Sequence, residues 1–151
     1  MLTLASAGIY TFSMKRVAVI DGQGGGIGSF IIKALRENFG ERIEIIALGT
    51  NSTATAAMLK ARANKGATGE NAIVWNASKA DMIAGPLSIL LANSMLGEFT
   101  PKMAYAVSSS PARKFLLPLN QEHVEIIGIS KEPLPHLIEK LVASIKEETD
   151  V

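Results

Sequence analysis

Apolar runs of four to six residues alternate along this chain with apolar stripes at helical spacing, and glycine-bearing turns separate them. Residues 17–20 (Val-Ala-Val-Ile) predict a first strand. Ile27, Phe30, Ile31, Ala34 and Leu35 then recur on one helical face, with Asn38 and Gly40 as stop signals. Residues 43–48 predict a second strand. The turn Gly49-Thr50-Asn51-Ser52 leads into a helix capped by Ser52 or Thr53, with Ala54, Ala57, Met58 and Ala61 as its small apolar contacts. Residues 64–71 read as a polar loop, 72–75 as a minor strand, and 81–84 as a strand ended by Gly85-Pro86. Leu87, Leu90, Leu91, Ser94 and Met95 predict a largely buried helix, and Thr100-Pro101 opens a short one. Residues 114–117 predict a fourth main strand, cut by Pro118, and residues 124–129 a fifth. A final helix opens at Pro133 or Pro135 with Leu137, Ile138, Leu141, Val142 and Ile145 on one stripe.

Strands that alternate with helices, each strand apolar on both faces, predict a three-layer α/β sandwich. Its sheet is five-stranded and mostly parallel, with helices on both faces. The connection at residues 118–123 is short enough for the last strand to run antiparallel.

Composition narrows the function more than the fold. The 151 residues suit one domain, and 48% hydrophobic residues with 5% aromatics imply a core of Ile, Leu, Val, Ala and Met. A formal net charge of +1 offers no field for nucleic acid or an acidic membrane. Without cysteine there is no disulfide, thiolate metal site or cysteine nucleophile. Residues 1–13 carry no charged side chain, and Met14 directly precedes Lys15-Arg16 and the first strand. Residues 1–13 are therefore expected to be an N-terminal extension, with Met14 the natural start and residues 14–151 the domain. The alternative is a genuine extra strand or arm. No apolar stretch reaches a membrane-spanning length, so a cytoplasmic protein is expected.

The candidate chemistry begins at the first strand's end. Five glycines fall within the seven residues from Gly22 to Gly28, between a strand and a helix. Such a turn exposes the first amides of the helix, which together with its dipole attract an anion such as phosphate. The turns at residues 49–52 and 85–86 also follow strands, so all three would meet at the carboxyl ends of a parallel sheet, where ligands of open α/β folds bind. The candidate binding residues are Asp21, Gly22, Gln23, Gly24, Gly25, Gly26, Ile27 and Gly28, then Thr50, Asn51 and Ser52, and Gly85. No acidic residue follows the second strand, where an NAD site would place one on the ribose. Thr50, Asn51 and Ser52, helped by Lys60 or Arg62, could instead donate to a 2′-phosphate, which favours NADP or another nucleotide. Asp21 either braces the loop, holds a hydrated metal, or accepts from a ligand hydroxyl. Of the other acids near turns, Glu70, Asp81 and Glu98, nothing in the sequence pairs any two. His123 and His136 lack a metal-ligand spacing.

Asp21-Gly22-x-x-x-Gly26-Ile27-Gly28 resembles the Thr-Gly-x-x-x-Gly-Ile-Gly loop of short-chain dehydrogenases, with Asp21 in the threonine position. The resemblance implies that Gly22, Gly26 and Gly28 lie under a dinucleotide. It does not extend to the reaction, because neither Tyr10 nor Tyr105 has a lysine four residues on. A broader resemblance rests on the Asp21–Gly28 loop, Gly49-Thr50-Asn51 with Ala54-Thr55, the segment 66–72, Gly85-Pro86, Gly97-Glu98 with Thr100-Pro101, and Pro118-Leu119-Asn120. Over about three-quarters of the chain it is similar to an uncharacterised family of small bacterial proteins, a domain of unknown function. That implies a Rossmann-like cytoplasmic protein with no assigned reaction. The expected function is a phosphate-ligand-binding domain of sensor or regulatory type. The alternatives are a small enzyme on a nucleotide or phosphorylated metabolite, using Asp21, Asn51 or Glu70, and an assembly protein that binds nothing. A homodimer fits each, since a single sheet leaves edges to cover.

Overall fold

The computed structural model describes residues 2–4, 10–12, 14–119 and 123–149, with side chains from Met14 onward. Strands β1 (Leu2–Leu4) and β2 (Tyr10–Phe12) form a two-stranded antiparallel ladder. The main chain then runs β3 (Lys15–Asp21), α1 (Gly26–Phe39), β4 (Ile43–Gly49), α2 (Ser52–Lys60), β5 (Lys65–Thr68) and α3 (Glu70–Ala77). It continues with β6 (Met82–Pro86), a 3-10 turn (Leu87–Leu90), α4 (Pro101–Ser109), β7 (Arg113–Leu117) and α5 (Leu134–Thr149).

The five strands β3 to β7 form one sheet in the order β5-β4-β3-β6-β7, and every described pairing in it is parallel. The sequence dictates the centre: β6 is buried from end to end, as are β3 and β4 apart from Lys15, Arg16 and Glu44, so they need apolar side chains on both faces. On one face Val17, Val19, Ile45 and Ala84 pack against Ile31, Ile32 and Leu35 of α1, Met58 of α2, and Leu141 and Ile145 of α5. On the other, Ala18, Ile20, Leu48 and Ile83 pack against Ile73 of α3 and Met103 and Val107 of α4. The result is the expected three-layer α/β sandwich. No described helix is long and apolar enough to cross a membrane.

Several local expectations give way. Residues 72–75 lie within α3, because a four-residue apolar run carries no period of its own and Glu70 begins a helix there. The polar stretch 65–68 is instead the edge strand β5, held by ladder bonds to β4 rather than by buried side chains. Residues 124–129 form no strand. Val124, Ile126, Ile127 and Ile129 are all exposed, and β7 rather than this segment is the last strand described on that side. The helix expected from Leu87 shrinks to one 3-10 turn, after which Asn93, Met95, Leu96 and Gly97 take positive φ in a compact turn. The cap of α2 is Asn51, one residue before the expected position; its side chain accepts from the Ala54 amide. Other signals hold as read. Gly40 (φ 57°) ends α1, and Thr100-Pro101 caps α4.

Candidate functional site

The parallel register brings three loops to one edge of the sheet. Asp21 lies opposite Gly49, and Gly49 opposite Thr68. Just beyond the ladder the Thr50 amide donates to the Asp21 carbonyl and the Gly69 amide to the Gly49 carbonyl. The chain leaves β3 for the face that carries α1, while the helix following β6, α4, packs on the opposite face. The space beyond β3 and β6 is therefore the point where the winding direction reverses, the crevice in which open α/β sheets bind ligands.

Asp21 is buried, and its carboxylate spans the glycine loop from beneath. Oδ1 accepts the Gly22 amide at 2.8 Å and Oδ2 the Gly28 amide at 2.7 Å. Burial raises its pKa most; the amides of Gly28, Gly22 and Ile27 pull it back, and the nearby Glu98 charge adds to the rise. Of the three roles open to Asp21, the geometry realises loop bracing. Both of its oxygens are used within the chain.

Gly25 sits at φ 74° before α1, and its amide closes a turn onto the Gly22 carbonyl at 2.9 Å. A Cβ there would stand 2.8 Å from the Ala54 backbone, so glycine is needed on both counts. Gly24 and Gly26 differ. A Cβ at either meets nothing within 4 Å, both are exposed, and neither amide donates to another described residue. The loop thus divides into a braced base and an open tip whose two amides have no acceptor among the described residues. Ile27 is half-buried at the start of the helix.

A residue the sequence did not single out as a binding group closes the other side. Glu98 Oε1 accepts from the Thr50 hydroxyl at 2.5 Å, the Gln23 amide at 2.9 Å and Asn51 Nδ2 at 2.9 Å. The Thr50 bond is the largest cause holding its carboxyl below the usual glutamate range, with the Gln23 and Asn51 bonds adding. Asn51 Nδ2 also donates to the Gln23 carbonyl at 3.0 Å. Glu98 is delivered by the compact turn after β6, anchored by the fully buried Phe99, whose carbonyl accepts the Asn93 amide at 2.8 Å. Met95 of the same turn covers Gly22, where a Cβ would meet its sulfur at 2.6 Å. The only sequence signal for this arrangement is Gly97-Glu98 close before Thr100-Pro101.

The remaining candidates separate. Ser52 is exposed on the first turn of α2. Gly85 lies in the sheet, where a Cβ would approach the Ile20 carbonyl oxygen to 2.5 Å; its need is strand packing. Glu70 accepts from the Thr100 hydroxyl at 2.6 Å, so it reaches the segment that carries Glu98, while the Asp81 carboxylate binds the Arg16 amide at the far end of β3. The acids are thus brought together in part: Asp21 and Glu98 share the loop. His136 is exposed, and no described cluster of His, Asp and Glu could hold a metal ion.

Neither feature that favoured a 2′-phosphate survives in the fold. A carboxylate does stand beside Thr50 and Asn51, that of Glu98. Lys60 and Arg62 lie at the opposite end of α2, about 12 Å along its axis, and Arg62 pairs with Glu41. A groove of about 710 Å³ runs between α1 and α5 over Phe30, Ile138 and Val142.

A family model described as "Domain of unknown function (DUF3842)" matches residues 16–150. No curated protein matches the chain. Among solved structures, a dodecameric FMN-dependent UbiX-like decarboxylase from Escherichia coli O157:H7 superposes with a TM-score of 0.42 at 14% identity, covering 91% of this chain and 96% of its own.

Proposed function

The chain belongs to the DUF3842 family, and from that premise we propose that it binds a phosphate-bearing nucleotide in the crevice at the carboxyl ends of β3, β4 and β6. The observation that carries this reading is the open loop tip. The Gly24 and Gly26 amides have no described protein acceptor at the start of a 14-residue helix, while the base beneath them is rigidly tied. A phosphate there would gain two charge-assisted hydrogen bonds and the helix dipole. Asp21, Gly22, Gln23, Gly25 and Gly28 shape the loop; Gly24 and Gly26 touch the ligand; Thr50 and Asn51 border it. NADP is disfavoured, for the reasons of charge given above. Because both Asp21 oxygens are spent in holding the loop, binding of a sensor or regulatory kind suits the site better than turnover. Glu70, with its hydroxyl partner Thr100, supports the alternative of a small enzyme on a nucleotide substrate.

The test is a thermal-stability scan of the full chain against NAD, NADP, FAD, FMN, adenine and guanine nucleotides, coenzyme A and inorganic phosphate. A ligand at a hundred times its Kd stabilises by about 2.7 kcal/mol. A shift that Gly26→Val abolishes supports the reading; no shift with any of them favours an assembly role. Turnover lost in Glu70→Gln with binding kept would favour the enzyme.

A further inference from the structure

Resting on that nucleotide reading, we infer that Glu98 selects the ligand's sugar: its carboxylate accepts a hydroxyl of an unphosphorylated ribose and rejects a ribose 2′-phosphate. Three carboxylates reach this end of the sheet, and their bonding distinguishes them. Asp21 is buried with both oxygens accepting loop amides. Glu70 spends Oε2 on Thr100. Glu70 has only that single bond, whereas Glu98 is pinned by three donors on one oxygen, from Thr50, Gln23 and Asn51, while Glu98 Oε2 accepts from no described residue. A carboxylate fixed through one oxygen with the other open is a pre-set hydroxyl acceptor.

Its position suits that task. In a strand–turn–helix dinucleotide site the ribose lies past the glycines, at the end of the next strand, where an acidic side chain accepts from its hydroxyls. Here that strand, β4, ends in Gly49 and is followed by Thr50 and Asn51, which have no charge. Glu98 supplies the acid from another element, 47 residues beyond Asn51. The same bonds remove Thr50 and Asn51 as phosphate donors, because their hydroxyl and amide protons already point at Glu98. A 2′-phosphate would meet a carboxylate, while a 2′-hydroxyl would meet an acceptor.

Calorimetric titration of the full chain with two ligand pairs, NAD against NADP and ADP against 2′-deoxy-ADP, tests this. Wild type should bind NAD about tenfold or more tighter than NADP, and ADP severalfold tighter than its deoxy analogue. Glu98→Gln should bring both ratios towards one, by weakening NAD and strengthening NADP. The ADP pair is read on wild type and does not depend on the variant folding. Nucleotide binding without preference in either pair, or ratios unchanged in Glu98→Gln, overturns the inference and leaves the nucleotide reading standing. Binding of no nucleotide at all overturns both.

Discussion

Glu98 Oε1 accepts the Gln23 amide at 2.9 Å across 75 residues of sequence. This bond ties the turn after β6 to the loop after β3, so the two sides of the crevice are one hydrogen-bonded unit. With Thr50 and Asn51 on the same oxygen, the carboxylate sets the position of Gln23 while the loop's tip stays open.

Removing that carboxylate should loosen Gln23 selectively. In Glu98→Ala the Gln23 amide should exchange its hydrogen on the order of tenfold faster, as expected when about 1.4 kcal/mol of local protection is lost. The Gly22 and Gly28 amides, held by Asp21, should keep wild-type rates. Equal acceleration at all three would mean that Glu98 supports the loop as a whole.

The glycines should fall into two classes. Gly25→Ala puts a side chain at φ 74° with backbone 2.8 Å away, and should cost more than about 2 kcal/mol. Gly24→Ala and Gly26→Ala enter open space and should stay within about 0.5 kcal/mol of wild type in urea unfolding. A large loss at Gly24 or Gly26 would contradict the division between base and tip.

Acid titration should read the two carboxylates with opposite sign. Asp21 has a raised pKa when folded, so the native state binds more protons than the unfolded chain between the ordinary aspartate value and the raised one. Across that window the stability of wild type relative to Asp21→Asn should fall as pH rises, then level off. Glu98 has a lowered pKa, so its stabilising effect is complete above the ordinary glutamate range and is lost as pH falls through the lowered value. Wild type relative to Glu98→Gln should therefore gain stability as pH rises. Urea midpoints at a series of pH values, with both variants, give the two slopes.

Exposed apolar side chains support self-association. Phe30 is 57% exposed on the α1–α5 groove, and Ile127 85% exposed beyond β7. Light scattering should give about twice the 16.0 kDa chain mass. A mass of one chain at micromolar concentration would contradict this.

The sandwich is legible because its central strands are apolar on both faces and each ends in a glycine or proline turn; Asp21-Gly22, Gly49-Thr50 and Gly85-Pro86 mark one edge in the sequence itself. What escaped depends on backbone pairing and distant partners rather than on local patterning. β5 is a polar edge strand, made by backbone bonds to β4. Residues 124–129 have the β-branched pattern of a strand but form no strand of the described sheet, and pattern alone cannot supply a partner. At the site, the glycine loop and Asn51 were visible locally. Glu98 was not, because its role depends on a turn with non-glycine residues at positive φ that carries it back to Gln23.

The most direct test of the central claim is an amide NMR titration of the full chain with ADP. The account predicts saturable shifts at Gly24 and Gly26 larger than at any other amide, with Gly28 much less affected. Saturable binding that moves amides elsewhere and leaves Gly24 and Gly26 in place would contradict it.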